Sequence, residues 1–109
     1  MTVTELQAAL SLTPVALPEG EREAEGVYIG DLLSWVMGRA QSGNVWLTIM
    51  SNLNIVAVAT LSDVSCIVLC EGVTLEETVK NTADAKGINI LATDMTAYEA
   101  AKKLAELGL

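Results

Sequence analysis

The sequence contains no histidine, which removes the commonest general base in enzymes and the commonest side-chain ligand for transition metals. Basic residues are also scarce: six lysine and arginine residues stand against fourteen acidic residues, for a formal net charge of −8. Because phosphate backbones are bound by clustered lysine and arginine, this composition predicts no nucleic-acid partner. The simplest interpretation of the acidity is solubility.

Cysteine is limited to Cys66 and Cys70. In a strand these two side chains share a face but lie about 13 Å apart, too far for a disulfide. With no histidine or third cysteine, one chain cannot supply a zinc or iron–sulfur site from them, so we expect no metal and no cofactor. Cys66 is predicted to be a small buried residue. Cys70 lies at the carboxyl end of a strand and is predicted to be a semi-exposed thiol, with plain packing as the alternative to a redox or ligand role.

Long hydrophobic runs are absent as well. A strictly apolar run such as residues 55–59 is far too short to span a bilayer. The first ten residues lack the basic start and apolar stretch of a secretory signal. We therefore expect a cytoplasmic protein with free thiols and no membrane association. With 109 residues, 51% of them apolar, the chain is predicted to form one domain over residues 1–109, in which an N-terminal helix and polar loop occupy residues 1–25.

Helix starts are indicated by three capping-box spacings, in which a threonine is followed three residues later by a glutamate. They are Thr2 with Glu5, Thr74 with Glu77, and Thr96 with Glu99. Gly87 is placed to end the second of these helices.

Strands are predicted at residues 27–29, 45–50, 65–69 and 88–91, with a possible short strand at residues 15–17. Residues 45–50 are apolar on both faces except at Thr48, which is typical of a parallel strand covered by helices. Residues 52–62 are ambiguous, because their β-branched content favours a strand. Two successive parallel strands need a crossover element between them, and this argument favours a helix there. The alternation predicts an α/β fold: a mostly parallel sheet of about four strands with helices on its faces, in three layers.

Ligands of open α/β sheets bind beyond the carboxyl ends of the strands. The candidate residues in those positions are Ser51, Asn52, Asn54, Cys70, Glu71, Gly72, Thr93 and Asp94. The alternative is that Ser51 or Asn52, like Thr74 and Thr96, only caps a helix. No glycine-rich phosphate loop is present, and Glu71 and Asp94 would repel a phosphate.

A further helix follows Asp31, which is predicted to cap it. Its apolar stripe consists of Leu32, Leu33, Val36, Met37 and Ala40. Trp35 and Arg39 lie off that stripe and are candidates for a protein interface, with peripheral packing of Trp35 as the alternative. Trp46 is predicted to belong to the core.

The order of these motifs resembles the DRTGG domain family, named after a short residue signature, over residues 26–109. The matching features are Cys70-Glu71-Gly72 at a strand end, the strand at residues 88–93, and the closing helix that starts at Thr96. Residues 26–40 look like a stand-alone subgroup of anaerobic bacteria that occurs beside iron-hydrogenase and redox genes. The family is similar to the N-terminal domain of HPr kinase/phosphorylase, and related modules occur in phosphotransacetylases and between CBS domains of regulated pyrophosphatases.

The chain departs from the signature at Asn52-Leu53, where both charges are missing, and at Cys70-Glu71-Gly72, where only the last glycine is kept. The resemblance therefore implies a fold more than a ligand. It implies a non-catalytic regulatory or protein-interaction module that forms a homodimer and senses a small ligand at the strand ends. The alternative is an accessory subunit of a hydrogenase or other redox enzyme, with Cys70 as a functional thiol. A signalling protein or redox enzyme is the expected heterologous partner.

Overall fold

Strands and helices alternate along the chain from residue 27 onward. The computed structural model describes all 109 residues. The elements, in chain order, are α1 (Val3–Leu10), β1 (Thr13–Ala16), β2 (Val27–Ile29), α2 (Leu33–Arg39), β3 (Val45–Thr48), α3 (Asn54–Ser62), β4 (Cys66–Leu69), α4 (Glu77–Lys86), β5 (Ile90–Ala92) and α5 (Ala97–Glu106).

The sheet has five strands in the order β1-β5-β4-β3-β2. Strands β2 to β5 are parallel, and β1 pairs antiparallel with β5. The predicted α/β class with a mostly parallel sheet is confirmed. The possible strand near residue 15 is β1, and it forms a fifth member of the sheet.

Each face of the sheet carries its own hydrophobic core. Trp46, Ile67 and Ile90 point toward α2, α3 and α4. Leu47 and Val68 point toward α1 and α5. Because β3 and β4 are buried on both faces, their sequences are apolar throughout except at Thr48. The result is the predicted three-layer arrangement, with Trp46 in the core.

The ambiguous segment at residues 52–62 is a helix, as the crossover argument predicts. It forms α3 and connects the parallel neighbours β3 and β4. Its β-branched residues are accommodated because Ile55, Val56 and Val58 are all buried, so tertiary packing outweighs local strand propensity.

Two of the three capping boxes form. Thr2 and Thr96 each accept a hydrogen bond from the backbone N–H of the paired glutamate. The prediction of a capping box at Thr74 is wrong. Helix α4 begins only at Glu77, and its N-cap residue, Glu76, makes no side-chain capping bond. Gly87 ends α4 in the left-handed conformation, with φ of 72°, as predicted.

The prediction that Asp31 caps α2 is also wrong. The N-cap residue is Leu32, which has no side-chain capping bond. Asp31 Oδ1 instead accepts hydrogen bonds from Thr48 Oγ1 at 2.8 Å and from the Ile49 N–H at 3.0 Å. The carboxylate thereby links the end of β2 to the end of β3. Because it is bonded to these two donors, it does not cap α2.

The apolar stripe predicted for α2 is only partly buried. Val36 is fully buried, but Leu32 is 60% exposed and Met37 is 47% exposed. The helix has only seven residues and lies over the edge strand β2, so the sheet beneath it is too narrow to cover the whole stripe. None of the five helices is long and apolar enough to cross a membrane.

Candidate functional site

The carboxyl ends of β4 and β5 are adjacent, and the chain leaves them in opposite directions. From β4 it passes to α4 on one face of the sheet, and from β5 it passes to α5 on the other face. Strands that diverge in this way leave a crevice between their carboxyl ends, which is the usual ligand position in open α/β sheets.

The crevice between β4 and β5 has a volume of about 200 Å³. The predicted residues Gly72, Thr93 and Asp94 are brought together there. The lining is completed by Thr13, Val73, Thr74 and Ala92, which the sequence analysis did not assign to the site. Thr13 belongs to β1. It lies beside β5 because the two strands pair antiparallel, and the residues around Thr13 do not predict that pairing.

Several backbone N–H groups beside the crevice are already hydrogen-bonded. The Glu71 N–H donates to the Met95 carbonyl at 2.8 Å, and the Gly72 N–H donates to the Thr93 carbonyl at 3.0 Å. Glu71 and Gly72 both have positive φ, at 61° and 73°. A Cβ on Gly72 would lie 3.1 Å from Asp94 Oδ1, so glycine suits this position on both backbone and steric grounds.

These contacts define what the crevice can bind. The N–H groups of Gly72, Val73 and Thr93 are already bonded to backbone carbonyls and cannot cradle an anion, and the Asp94 carboxylate adds negative charge. A volume of about 200 Å³ is below the roughly 300 Å³ at which drug-sized ligand pockets begin. The crevice therefore fits a small polar group that donates hydrogen bonds better than a phosphate.

Cys70 does not lie at the surface of the crevice. Its side chain is fully buried in the core beneath α1 and α5, so the prediction of a semi-exposed thiol is wrong. The residue follows directly on β4 and keeps the alternation of that strand, which points it inward. Burial, with smaller contributions from the charges of Glu71 and Asp31, raises the pKa of the Cys70 thiol to about 11.

Cys66 is buried, as predicted, and desolvation raises the pKa of its thiol to about 12. Both cysteines are free thiols. No group of three or more cysteine, aspartate or glutamate side chains is arranged to hold a metal ion.

The candidates after β3 form a separate group. Asn52 Oδ1 accepts a hydrogen bond from the Asn54 N–H at 2.9 Å, just where α3 starts. This bond is an Asx turn that precedes the helix. The N-cap residue of α3 is Leu53, which has no side-chain capping bond, so the alternative that Ser51 or Asn52 caps this helix is wrong. Ser51, Asn52 and Asn54 do not line the crevice between β4 and β5.

The interface candidates Trp35 and Arg39 lie one helical turn apart on α2 and contact each other. Arg39 Cζ lies 3.7 Å from the centre of the Trp35 ring, a cation–π distance. The indole is nevertheless 53% exposed. A large aromatic side chain is therefore exposed at the surface, in contact with the Arg39 guanidinium.

A larger feature, missed by the sequence analysis, is a groove of about 510 Å³ between α3 and α4. Its lining consists of Leu53, Asn54, Val56, Ala57, Thr60, Leu61, Thr82 and Lys86. Leu53 is 52% exposed and Leu61 is 71% exposed. The sequence of α3 could have indicated this groove. The helix contains no charged residue and is apolar on nearly all sides, whereas a surface helix normally has a polar face.

Comparison with solved structures finds a similar fold in the CBS and DRTGG domains of the regulatory region of Clostridium perfringens pyrophosphatase, complexed with the activator diadenosine tetraphosphate. The TM-score is 0.73 and the sequence identity is 14%. The match covers 94% of this chain and 45% of that chain, so this chain spans less than half of that regulatory region. At this identity the likeness shows the fold.

No curated protein matches the sequence. The model of the DRTGG domain matches residues 19–107, which include the strands β2 to β5 and both loops of the crevice. That match extends over most of the chain. A domain of the same family stands beside CBS domains in the regulatory region of the Clostridium perfringens pyrophosphatase. The protein is therefore a member of the DRTGG domain family.

Proposed function

We propose that this chain is a non-catalytic regulatory module that acts through protein association and forms a homodimer. The observation that carries the proposal is the exposed apolar surface of the helical layer, where Trp35, Leu53 and Leu61 are each more than half exposed. The rest of the surface is strongly charged, as the net charge of −8 shows. Large apolar side chains exposed on such a surface favour a protein interface.

The chemistry of the surface supports a non-catalytic role. The thiols of Cys66 and Cys70 are buried with raised pKa values, which is the opposite of an activated nucleophile. The crevice holds hydroxyl groups of threonine and the carboxylate of Asp94, without a histidine to serve as base.

The association is tested by sedimentation velocity together with tryptophan fluorescence. Trp46 is buried and Trp35 is exposed, so burial of Trp35 in a dimer shifts the emission to shorter wavelength as concentration rises. In the variant Trp35→Ala the loss of that shift assigns it to Trp35, and the sedimentation of the same variant shows whether α2 contributes to the contact. A chain that stays monomeric at all accessible concentrations contradicts the proposal.

The ligand-sensing part of the function belongs to the crevice between β4 and β5. Its threonine hydroxyls and the Asp94 carboxylate suit a small ligand with hydrogen-bond donors. Native mass spectrometry of the protein from its host cells detects such a ligand as added mass. Asp94→Asn should remove that mass, and Glu99→Gln, on the neighbouring helix α5, serves as a control outside the crevice. Added mass that survives in Asp94→Asn places the ligand elsewhere.

A heterologous partner, either a signalling protein or a redox enzyme, belongs to the same proposal. The burial of Cys70 favours a redox partner bound through the surface of the module rather than through a reactive thiol. Replacing Cys70 should therefore leave both the activity and the metal content of such a partner unchanged.

A further inference from the structure

The outward face of α3 is a strip of three residues at four-residue spacing: Leu53, Ala57 and Leu61. Residues four apart lie above one another on a helix, so the three side chains form one line along the groove between α3 and α4. All three are exposed. The inward face of the same helix, including Ile55 and Ala59, is fully buried in the core.

We propose that this strip is the contact between two copies of the chain, with the two α3 helices packed antiparallel about a two-fold axis at Ala57. The inference rests on the proposed homodimer and assigns its interface. The order leucine, alanine, leucine is the same in both directions along the helix. A two-fold axis at Ala57 therefore places Leu53 of one copy beside Leu61 of the other, at both ends of the contact.

The small side chain of Ala57 determines how close the helices come. Packed helices have axes about 8–10 Å apart, and Cα atoms lie about 2.3 Å from each axis. Two Ala57 Cα atoms facing each other across the axis are therefore about 3.4–5.4 Å apart. The leucines at either end of the strip then reach into the groove of about 510 Å³ beside the partner helix.

Charge favours a second copy over a basic or acidic partner at this surface. Lys86 is the only charged residue in the lining of the groove, and α3 itself has none. Two chains that each carry a charge of −8 can meet here without burying a carboxylate. Their remaining repulsion is long-range and screened by salt, so the dimer should tighten as ionic strength rises.

The size of the molecule is compatible with a dimer of standard interface. Such an interface buries about 800 Å² on each partner, which is roughly one seventh of the accessible surface of 5500 Å². The line of Leu53, Ala57 and Leu61 would form the apolar centre of that contact.

Cysteine cross-linking tests the axis directly, since both native thiols are buried. Ala57→Cys introduces a single exposed thiol at the proposed axis. The expected Cα separation there overlaps the range in which a disulfide forms, about 4.4–6.8 Å. The matched control is Ala105→Cys, which is exposed on α5 on the opposite face of the sheet. Under mild oxidation, Ala57→Cys should form a covalent dimer at least tenfold faster than Ala105→Cys.

A second pair of variants tests the contact without new covalent chemistry. Leu61→Glu should weaken dimerisation at least tenfold in sedimentation equilibrium, and the protein should remain folded because Leu61 is 71% exposed. Leu107→Glu, just beyond α5, should leave dimerisation unchanged. Equal cross-linking of the two cysteine variants, with the unmodified chain still dimeric, would overturn the α3 interface and leave the proposed homodimer standing. A monomeric unmodified chain overturns both.

Discussion

The reactivity of Cys70 separates a packed core residue from a functional thiol. The variant Cys66→Ala leaves Cys70 as the only thiol in the chain, so its rate of reaction with an aromatic disulfide reagent can be followed alone. The structure predicts that the folded variant reacts far more slowly than a free cysteine, because the side chain is fully buried and its charged form is disfavoured.

The magnitude follows from the pKa. With a pKa of about 11, roughly one Cys70 side chain in a thousand is ionised at about pH 8. An exposed cysteine with a pKa of about 8.5 is roughly one-quarter ionised under the same conditions. Ionisation alone therefore slows the reaction roughly 200-fold, and access through a closed core slows it further.

The assay follows absorbance during labelling of the folded variant and again after unfolding in denaturant. The unfolded chain should label completely at the rate of a free cysteine, which provides the internal control. Rapid labelling of the folded chain would refute the buried position of Cys70 and would restore the interpretation of this residue as a redox contact.

Three further predictions concern stability. Asn89→Ala removes three side-chain hydrogen bonds, two with the backbone of Glu19 and one with the Ser65 carbonyl, and should cost about 2–4 kcal/mol in urea unfolding. Thr96→Ala removes the cap of α5 and should cost about 1 kcal/mol, whereas Thr74→Ala, which breaks no cap, should change stability by less than about 0.5 kcal/mol. Hydrogen bonds from Ser42 and Arg22 lower the pKa of Asp63, so its stabilising contribution should be present near neutral pH and be lost as pH falls below about 4, with Asp63→Asn losing less stability over that range.

Each stability prediction has a control or a contradicting result. Asn81 is exposed on α4, so Asn81→Ala should leave the free energy of unfolding nearly unchanged. An equally small change in Asn89→Ala would contradict the role of the buried Asn89 amide. Equal effects of the two threonine variants would contradict the assignment of the helix starts. A pH profile for Asp63→Asn identical to that of the unmodified chain would contradict the role of that carboxylate.

Local and topological patterns in the sequence were sufficient for most of the fold. The capping boxes at Thr2 and Thr96 lie directly before amphipathic segments, so the local signal and the tertiary packing agree. The helix α3 followed from topology, because only a crossover can join the parallel strands β3 and β4. Two-sided apolar runs identified those central strands.

The errors occurred where a distant contact overrides a local pattern. Asp31 stands in a cap position, but hydrogen-bond donors at the end of β3, 17 and 18 residues away, bind its carboxylate. Residues 71 and 72 are held against the loop after β5, so Thr74 lies in a connecting segment rather than at a helix start. Neither contact can be inferred from the residues that flank these positions.

The candidate site was only partly predictable for the same reason. Gly72, Thr93 and Asp94 were identified because the carboxyl ends of adjacent parallel strands meet at one edge of the sheet. Thr13 enters the crevice through the antiparallel strand β1, whose pairing with β5 is non-local. The groove between α3 and α4 depends on which side of an apolar helix remains uncovered, and only the packed structure shows that Leu53 and Leu61 are exposed.

Self-association of the chain is the central proposal, and sedimentation equilibrium of the unmodified chain measures it. A chain of 11.5 kDa that forms the proposed dimer sediments at twice that mass, and its dimerisation constant increases with salt. A mass of 11.5 kDa at every concentration and ionic strength would contradict the homodimer and, with it, the assignment of α3 as an interface.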